Sequence, residues 1–373
     1  MPIEDGFGEF RAMHYRNVQG LRAVASLMVL FSHVLHPFTP MQAHWITPYI
    51  YNLGPGGVDI FFVISGFIIY TVGVKSGGDR TKSRWQSTLD FLLRRLIRIY
   101  PIYWVMFLFA SLTIAYIVDI PFLPMPVPPT SSLLLLLSAS NNIILAAWSL
   151  HYEMIYYMVA TLSLLIFRQH LLIGLMIWFA FTLACILVAF ALGKDWMHHV
   201  WASSLFFEFM FGVFVALLVG RGQTAFAKTS FVVGVVLYAL GSVVLHRHGG
   251  WWVLAPWWRT AFWGIPSGFI LYGLIAIELR GLWTFPKVWQ YLGNASYSIY
   301  LSHQTFFAIL ALIVLRAGLM DLRPRLLVAG LACVLAIAFG AAIYQFVEKW
   351  LLDKIGNAVL GRRVPVSTIQ PAE

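Results

Sequence analysis

Apolar residues run along this chain in long segments that are separated by short polar stretches. Ten of these segments are close to the roughly 20 residues that a transmembrane helix needs. They cover residues 20–37, 56–74, 97–118, 148–167, 171–192, 202–219, 229–246, 261–278, 293–315 and 326–348. The pattern predicts an all-α, polytopic membrane protein with about ten transmembrane helices.

A further apolar run at 132–147 is shorter, and we interpret it as a re-entrant or interfacial segment because polar residues interrupt it. Those residues are Ser138, Ser140, Asn141 and Asn142. If this run crossed the membrane, the orientation of every later helix would be reversed. With ten spans, most of the 25 lysines and arginines fall on the side of the N-terminus. The positive-inside rule then predicts that both termini are cytoplasmic.

The composition supports a membrane protein. Hydrophobic residues make up 60% of the chain and charged residues 11%, whereas soluble proteins contain about 25% charged residues. We therefore interpret the net charge of +10 as a sign of topology and of contact with anionic lipids, not of nucleic-acid binding. Cys185 and Cys333 both lie in apolar runs, which indicates neither a disulfide framework nor a thiolate metal site.

One membrane domain is expected to make up most of the chain. We divide it into a cytoplasmic segment at 1–19, a transmembrane domain at 20–350 and a cytoplasmic tail at 351–373. The first helix is expected to be retained, because no small-residue cleavage site marks a signal peptide. A proline-rich outer loop is expected at 121–130.

Ionisable side chains within the apolar segments are the strongest functional signal. Arg22 and His33 lie in the first segment, at a spacing that puts them within about 20° of one helix face and about 16 Å apart along the axis. Such groups are costly in a membrane helix unless they pair or line a polar cavity. The alternative is that Arg22 is a cytoplasmic anchor and His33 an interfacial residue.

The second and third segments add an acid and two bases. Asp59 follows the sequence GPGG and is expected at the outer start of its helix, either as an N-cap or as a group that fixes the tautomer of His33. Arg95 and Arg98 lie one turn apart on the third helix. Paired guanidinium groups suit phosphates, although basic residues here could also be ordinary anchors.

The fourth segment carries a polar stripe near its outer end. Ser149 and Glu153 are i, i+4 neighbours that follow Trp148. A buried glutamate without a partner would take up a proton, so we expect Glu153 to pair with His33, an arginine or a substrate hydroxyl. No role is assigned to His151.

Polar residues recur in the later segments. Tyr300 and His303 share one face of the ninth helix with Ser296. On position alone, His303 is as well explained by a hydrogen-bonded core histidine as by a cavity residue. Glu208 is a further intramembrane acid, for which a structural pairing role is equally plausible.

Tryptophan is concentrated around the loop between the seventh and eighth segments. An aromatic belt at the membrane interface is the favoured interpretation, and a platform that stacks on sugar rings is the alternative. The residues are Trp251, Trp252, Trp257, Trp258 and Trp263.

Five motifs together point to a known family. In chain order they are Arg22-x10-His33, GGVDIFFVISGF, RRLIRIYP, WSLHYE and LGNASYSIYLSHQ. Across about ten spans, and over residues 17–348, they resemble the membrane-bound acyltransferase 3 family. The resemblance implies transfer of an acyl group, usually acetyl, from cytoplasmic acyl-CoA to extracytoplasmic carbohydrates. The sequence WSLHYEMIYYMV is most similar to the branch that acts on secreted exopolysaccharide.

The resemblance also assigns functional residues. It implies functional residues at Trp148, Ser149 and Glu153 and makes His303 a cavity residue. Glu348 matches a further family position, but the proline that commonly follows that acid two residues later is Trp350 here. We therefore do not predict a catalytic role for Glu348.

These observations lead to a mechanistic hypothesis. Arg22, Arg95 and Arg98 would bind the phosphates of acetyl-CoA, the acyl donor, while His33 would act at the outer end of the cavity with support from Asp59 or Glu153. His33 would serve either as a general base on a sugar hydroxyl or as a transient acyl carrier. No metal is expected.

The expected partners are acyl-CoA, a carbohydrate acceptor, membrane lipids and a polysaccharide synthase or export machinery, and the expected location is a bacterial inner membrane. The alternative function is a proton-coupled secondary transporter of a small anionic or sugar-like solute, because intramembrane Arg, His, Asp and Glu also occur in such carriers. The absence of matching Gly- or Pro-broken halves favours the enzyme.

Overall fold

The computed structural model describes residues 15–38, 47–116, 134–137, 143–193, 203–248, 256–318 and 325–360, and these residues form helices and short turns without strands. The first seven long helices are α1 (Arg16–Phe38), α2 (Thr47–Gly78), α3 (Arg84–Tyr116), α4 (Trp148–Phe167), α5 (Leu171–Ala191), α6 (Phe206–Gly220) and α7 (Ala227–Arg247). This confirms the all-α class, and each predicted apolar segment overlaps a described helix.

Two later helices contain a π-helical turn. Helix α8 runs from Pro256–Arg259 through the π-turn Thr260–Gly264 into Ile265–Leu279. The short α9 (Lys287–Asn294) and α10 (Ser296–Arg316) follow, and α11 runs from Arg325–Ile343 through the π-turn Tyr344–Glu348 into Lys349–Leu360. Because π-turns are frequent at functional sites, their coincidence with Thr260 and Glu348 is relevant to the buried charges described below.

Seven stretches of the described helices are long and apolar enough to cross a membrane. One of them, Leu145–Ala191, contains both α4 and α5, while α6 is apolar but shorter than the others and α1 is not among the seven. The chain is therefore a multi-pass membrane protein. The count of ten spans and the cytoplasmic termini stay predictions.

Helix α2 begins earlier than the sequence predicts. It starts at Thr47 and contains Pro55, so that Asp59 lies in the helix interior and is not its N-cap. Helices α1 and α8 pack closely around this turn: a methyl group on Gly57 would lie 2.4 Å from the Ala25 carbonyl oxygen, and the Pro55 carbonyl accepts a hydrogen bond from Arg259.

Only parts of the predicted re-entrant run and loops are described. At 134–137 the chain is held by hydrogen bonds from α3 and α4: Trp104 Nε1 donates to the Leu134 carbonyl at 2.9 Å, and His151 Nδ1 lies 2.7 Å from the Leu136 carbonyl. Leu145–Ala147 then forms a short 3-10 helix before α4. The predicted polar interruption at 138–142, the outer loop at 121–130 and most of the tail lie outside the described residues.

Helices α2 and α6 approach each other at backbone distance. A Cβ atom on Gly66 would lie 1.9 Å from the Phe209 carbonyl oxygen, and one on Gly212 would lie 1.9 Å from the Val63 carbonyl oxygen. Small residues allow such contacts between membrane helices, where close packing replaces the hydrophobic effect as the main attraction. This contact positions α2, which carries Asp59, against α6, which carries Glu208.

We expect Gly212→Ala to destabilise the protein, because the added methyl group can be accommodated only if α2 and α6 move apart. Overpacking of this kind costs about 1–3 kcal/mol. The measurement is the thermal unfolding midpoint of detergent-solubilised protein, followed by size-exclusion chromatography.

Gly330→Ala is the matched control, since Gly330 is also helical but a Cβ atom there meets nothing within 4 Å. We expect it to be neutral or slightly stabilising. Equal destabilisation by the two substitutions would contradict the proposed close contact between α2 and α6.

Candidate active site

Helix α1 carries two half-buried polar side chains on an otherwise buried surface. Arg22 and His33 are partly exposed, whereas Ala23, Ala25 and Leu30 are fully buried. The two side chains have different surroundings. Arg22 interacts electrostatically with arginines and glutamates from α3, α4 and α11, and His33 contacts a histidine from α10.

We call the charged groups around Arg22 the inner cluster, and it consists of Arg22, Arg95, Arg98, Glu153 and Glu348. Arg98 Nη1 donates to Glu348 Oε1 at 2.7 Å, and Ser298 Oγ donates to Glu348 Oε2 at 2.5 Å. Glu348 is fully buried. The ion pair ties α3 to the π-turn of α11, which explains why an acid is needed at this buried position.

Glu153 contributes the second negative charge of the inner cluster. Its Oε1 atom accepts hydrogen bonds from Ser65 at 2.9 Å and from the hydroxyl of Tyr157. It also interacts electrostatically with Arg22 and Arg95. The sequence predicts that Glu153 pairs with His33, an arginine or a substrate hydroxyl; among the described residues its hydrogen bonds go to hydroxyl groups of α2 and α4.

Two guanidinium groups of the inner cluster have no carboxylate bound to them. Among the described residues, neither Arg22 nor Arg95 makes a hydrogen bond or an ion pair, and Arg95 Nε is buried without a partner. The guanidinium of Arg95 lies 5.7 Å from the centre of the Phe91 ring. Three guanidinium groups thus face two carboxylates, one of which already binds Arg98, so the cluster can accommodate an anion.

We call His33 and His303 the histidine pair. His303 Nε2 lies 3.3 Å from His33 Nδ1, and the ring centres are 5.1 Å apart. His33 Nδ1 is also 2.8 Å from the Val29 carbonyl oxygen, and His303 Nδ1 is 3.2 Å from the Ile299 carbonyl oxygen. The family resemblance implied a cavity residue at 303 but not its contact with His33.

Tyr300 and Ser149 extend the polar surface next to the histidine pair. Their hydroxyl groups are 2.8 Å apart, and the Tyr300 hydroxyl also donates to the Ala146 carbonyl at 2.8 Å. The rings of Tyr300 and His303 are 6.1 Å apart. Ser149 on α4 and Tyr300 on α10, which the sequence placed on the polar faces of separate segments, are therefore in contact because these two faces pack against each other.

Asp59 does not lie in the expected arrangement with His33. Its Oδ2 atom accepts a 2.7 Å hydrogen bond from Arg259, and its Oδ1 atom has no donor among the described residues. The hydrogen bonds of Asp59 and Glu153 thus go to groups other than His33, because each carboxylate has nearer donors. A catalytic role for either residue stays a prediction.

Arg259 is a site residue that the sequence analysis did not identify. Its position before the predicted eighth segment placed it in the tryptophan-rich outer loop, yet it is only 5% exposed. The π-turn at Thr260–Gly264 extends α8 into this region. The available signal was the charged residue within an aromatic stretch, PWWRTAFW, which is unusual for an interface belt.

We call Asp59, Glu208 and Arg259 the buried triad. Both acids are fully buried and their side chains contact each other, while Thr260 Oγ1 lies 3.2 Å from Glu208 Oε1. Asp59 Oδ1 and Glu208 Oε2 have no other donor among the described residues. A proton shared between these two oxygens would satisfy both and would leave one negative charge to balance Arg259.

Trp148 connects the buried triad to the rest of the site. The guanidinium of Arg259 lies over the Trp148 ring at 5.4 Å, a distance at which a cation is attracted to the π-system. Trp148 begins α4, one residue before Ser149. The buried triad thereby helps to position the helix end that carries Ser149.

The tryptophans near α8 differ in their surroundings. Trp257 is exposed and stacks on Trp258 with ring centres 4.0 Å apart. Trp263 instead is fully buried and donates a hydrogen bond to Ser242 at 2.9 Å, so it is a core residue. Trp251 and Trp252 lie outside the described residues.

The comparisons with known proteins agree on one class. A family model described as "Acyltransferase domain" matches residues 15–345. The chain is 26% identical over 325 residues, 83% of this chain and 92% of the relative, to the exopolysaccharide production protein ExoZ of Rhizobium meliloti (strain 1021). It is 31% identical over 96 residues, 25% of this chain and 23% of the relative, to nodulation protein 10 of Rhizobium leguminosarum bv. viciae. No solved structure matches the chain.

We expect Asp59→Asn and Glu208→Gln to have unequal effects on folding. Glu208→Gln supplies an amide donor to Asp59 Oδ1 and keeps one carboxylate for Arg259, so the yield of folded protein should be close to wild type. Asp59→Asn removes the carboxylate that is bound to Arg259, and breaking a buried ion pair costs about 3–5 kcal/mol.

The measurement is the yield and thermal midpoint of monodisperse protein in detergent. Equal losses for the two variants, or a larger loss for Glu208→Gln, would contradict the shared proton in the buried triad.

Proposed function

The chain belongs to the Acyltransferase domain family, and from this premise we propose that it is a membrane O-acyltransferase that moves an acetyl group from cytoplasmic acetyl-CoA to a hydroxyl group of an extracytoplasmic carbohydrate. A surface exopolysaccharide is the proposed acceptor, supported by the name of the relative that matches 83% of the chain, an exopolysaccharide production protein. The proposed location is the bacterial inner membrane.

The observation that carries the choice of donor is the pair of unbound guanidinium groups of Arg22 and Arg95 in the inner cluster. Buried positive charge needs a counter-ion, and planar guanidinium groups bind phosphates through two parallel hydrogen bonds. Acetyl-CoA offers phosphates at one end of the molecule and a thioester at the end of a long arm. Arg98 is already paired with Glu348, so we assign it to holding the cluster together and only secondarily to the ligand.

The spacing along α1 fits a ligand that spans part of the membrane. Arg22 and His33 are separated by about 16 Å of helix, so phosphates at the inner cluster would leave the thioester arm directed toward the histidine pair. Ser149 and Tyr300 lie next to that pair and supply hydroxyl groups for a carbohydrate acceptor. We propose the exposed Trp257, stacked on the partly buried Trp258, as an entry surface for sugar rings.

In the direct reaction, the imidazole of His33 takes the proton of the acceptor hydroxyl as its oxygen attacks the thioester carbonyl. The carbon–sulfur bond breaks, an ester forms, and the CoA thiolate takes the proton from the imidazolium. In the alternative reaction, His33 attacks the thioester carbonyl, the carbon–sulfur bond breaks, and CoA leaves as the thiol with the ring proton of His33. The acceptor hydroxyl then attacks the acyl-imidazole, and its proton returns to the ring and restores neutral His33.

The secondary transporter is the competing function. The same intramembrane charges would serve an anion carrier, but the family of this chain favours group transfer. Release of CoA from acetyl-CoA distinguishes them, because a transporter moves its solute without breaking the thioester.

We expect Arg95→Gln to weaken acetyl-CoA binding about tenfold or more, since a hydrogen bond to a charged group contributes about 1.5–3 kcal/mol. The measurement is equilibrium binding of radiolabelled acetyl-CoA to purified protein in nanodiscs. Arg94→Gln is the control, because the neighbouring side chain points about 100° away around α3. Equal affinity of Arg95→Gln and wild type would exclude Arg95 from the donor site.

We expect His33→Ala to fold and to bind acetyl-CoA but to lose about 10²–10⁴ in turnover, the usual contribution of a general acid or base. The measurement is CoA release and acetyl transfer from radiolabelled acetyl-CoA by protein in liposomes supplied with polysaccharide fragments. His248→Ala is the control, because His248 contacts the carbonyl four residues earlier, as His33 does, but is exposed at the end of α7. Normal turnover by His33→Ala would contradict a role of His33 in the reaction.

A further inference from the structure

The backbone contacts of the histidine pair indicate which ring nitrogens carry protons. A carbonyl oxygen only accepts hydrogen bonds, so the 2.8 Å contact between His33 Nδ1 and the Val29 carbonyl requires a proton on His33 Nδ1. In the same way, the 3.2 Å contact with the Ile299 carbonyl requires a proton on His303 Nδ1. These two backbone contacts assign a tautomer to each ring.

The environment of His303 keeps its Nε2 atom as an acceptor. The side chain is fully buried, its aromatic neighbours are Tyr300 and Phe307, and the described residues place no carboxylate against it. A buried imidazole without an anionic partner stays neutral. With its proton on Nδ1, neutral His303 presents a lone pair on Nε2.

That lone pair points to one atom of His33. His303 Nε2 lies 3.3 Å from His33 Nδ1, so the Nδ1 proton of His33 faces the Val29 carbonyl, the His303 nitrogen and, at 3.4 Å, Ser32 Oγ, which itself donates to the Val29 carbonyl. The hydrogen bond made by one ring nitrogen of a histidine determines the state of the other. A second acceptor from another helix also restricts rotation of the His33 ring.

We propose that His303 is a positioning residue that holds His33 in the Nδ1-protonated tautomer, so that Nε2 is the atom of His33 that reacts. In the direct reaction Nε2 takes the hydroxyl proton, and positive charge on the His33 ring strengthens the contact of Nδ1–H with His303. In the carrier reaction Nε2 bonds to the acyl carbon. The catalytic consequence rests on the proposed function, whereas the tautomer does not.

His303 takes the place in this scheme that the sequence analysis gave to Asp59 or Glu153. A neutral acceptor orients the ring without fixing a full negative charge beside it, which is the less costly arrangement in an apolar bundle. Both carboxylates remain bound to the groups described above.

Two substitutions of His303 distinguish the roles of its two ring nitrogens. The oxygen of Gln can occupy the place of Nε2, so His303→Gln keeps an acceptor for His33 but loses the donor to Ile299. Asn reaches only the place of Nδ1, so His303→Asn keeps the donor to Ile299 and loses the acceptor for His33. Both variants are polar and smaller than histidine, so cavity effects are similar.

We expect His303→Gln to keep most of the wild-type kcat. The kcat of His303→Asn should fall about tenfold or more, which is part of the rate contribution of about 10²–10⁴ that a positioned general base makes. The KM for acetyl-CoA should stay unchanged in both, because the proposed donor site is the inner cluster. The rates are measured per folded protein after size-exclusion chromatography. Equal losses, equal retention, the reverse order or a change confined to KM would each overturn the proposal.

A spectroscopic measurement tests the tautomer without relying on activity. The protein is labelled with 15N-histidine in nanodiscs, and the signals of His33 among the 11 histidines are identified by their loss in His33→Ala. We expect protonated Nδ1 and unprotonated Nε2 in wild type and in His303→Gln, and a population with protonated Nε2 in His303→Asn. Protonated Nε2 in wild type, or an unchanged tautomer in His303→Asn, would overturn the role of His303.

The two measurements separate failure of this inference from failure of the proposed function. If wild-type protein transferred no acetyl group, the proposed function would fail, and the 15N spectra would still decide whether His303 sets the tautomer of His33. If wild-type protein were active and the spectra showed the opposite tautomer, only this inference would fail.

Discussion

The cost of burying positive charge among apolar helices determines how this molecule is arranged. Four arginines lie inside the bundle, and two of them are balanced by acids on distant helices, Arg98 by Glu348 and Arg259 by Asp59. Each pair joins elements far apart in the chain, so the folded bundle supplies the counter-charge that the lipid cannot. The remaining arginines, Arg22 and Arg95, lack such a partner among the described residues, and in the proposed function this excess charge binds the phosphates of the donor.

Close backbone packing makes these pairings possible. The glycine contact between α2 and α6 brings Asp59 and Glu208 together, and the π-turns of α8 and α11 lie next to Arg259 and at Glu348. A π-turn accommodates one extra residue within a helix and turns the following side chains to a new face. The pairing of the buried charges thus depends on the close helix packing and on the π-turns.

The site separates the groups that bind a charged ligand from those that act on it. The inner cluster contains Arg22 and Arg95, which have no bound carboxylate among the described residues, whereas the histidine pair lies beside neutral hydroxyl and aromatic groups of α4 and α10. A neutral environment favours an imidazole that exchanges protons over one that is permanently charged. In the proposed reaction, this separation keeps the phosphates of the donor away from the atoms that react.

The sequence by itself determined the helical segments, the membrane class, the family and the residues of α1, because these depend on apolar length and on spacing within one helix. It also predicted that Ser149, Tyr300 and His303 belong to polar helix faces. Only the tertiary structure decided the pairings: Asp59 with Arg259, Glu348 with Arg98, and His33 with His303. Each of these contacts joins residues at least 200 positions apart. A helical pattern predicts which face is polar but not which helix packs against it, and that choice depends on close contacts such as Gly66 with Phe209.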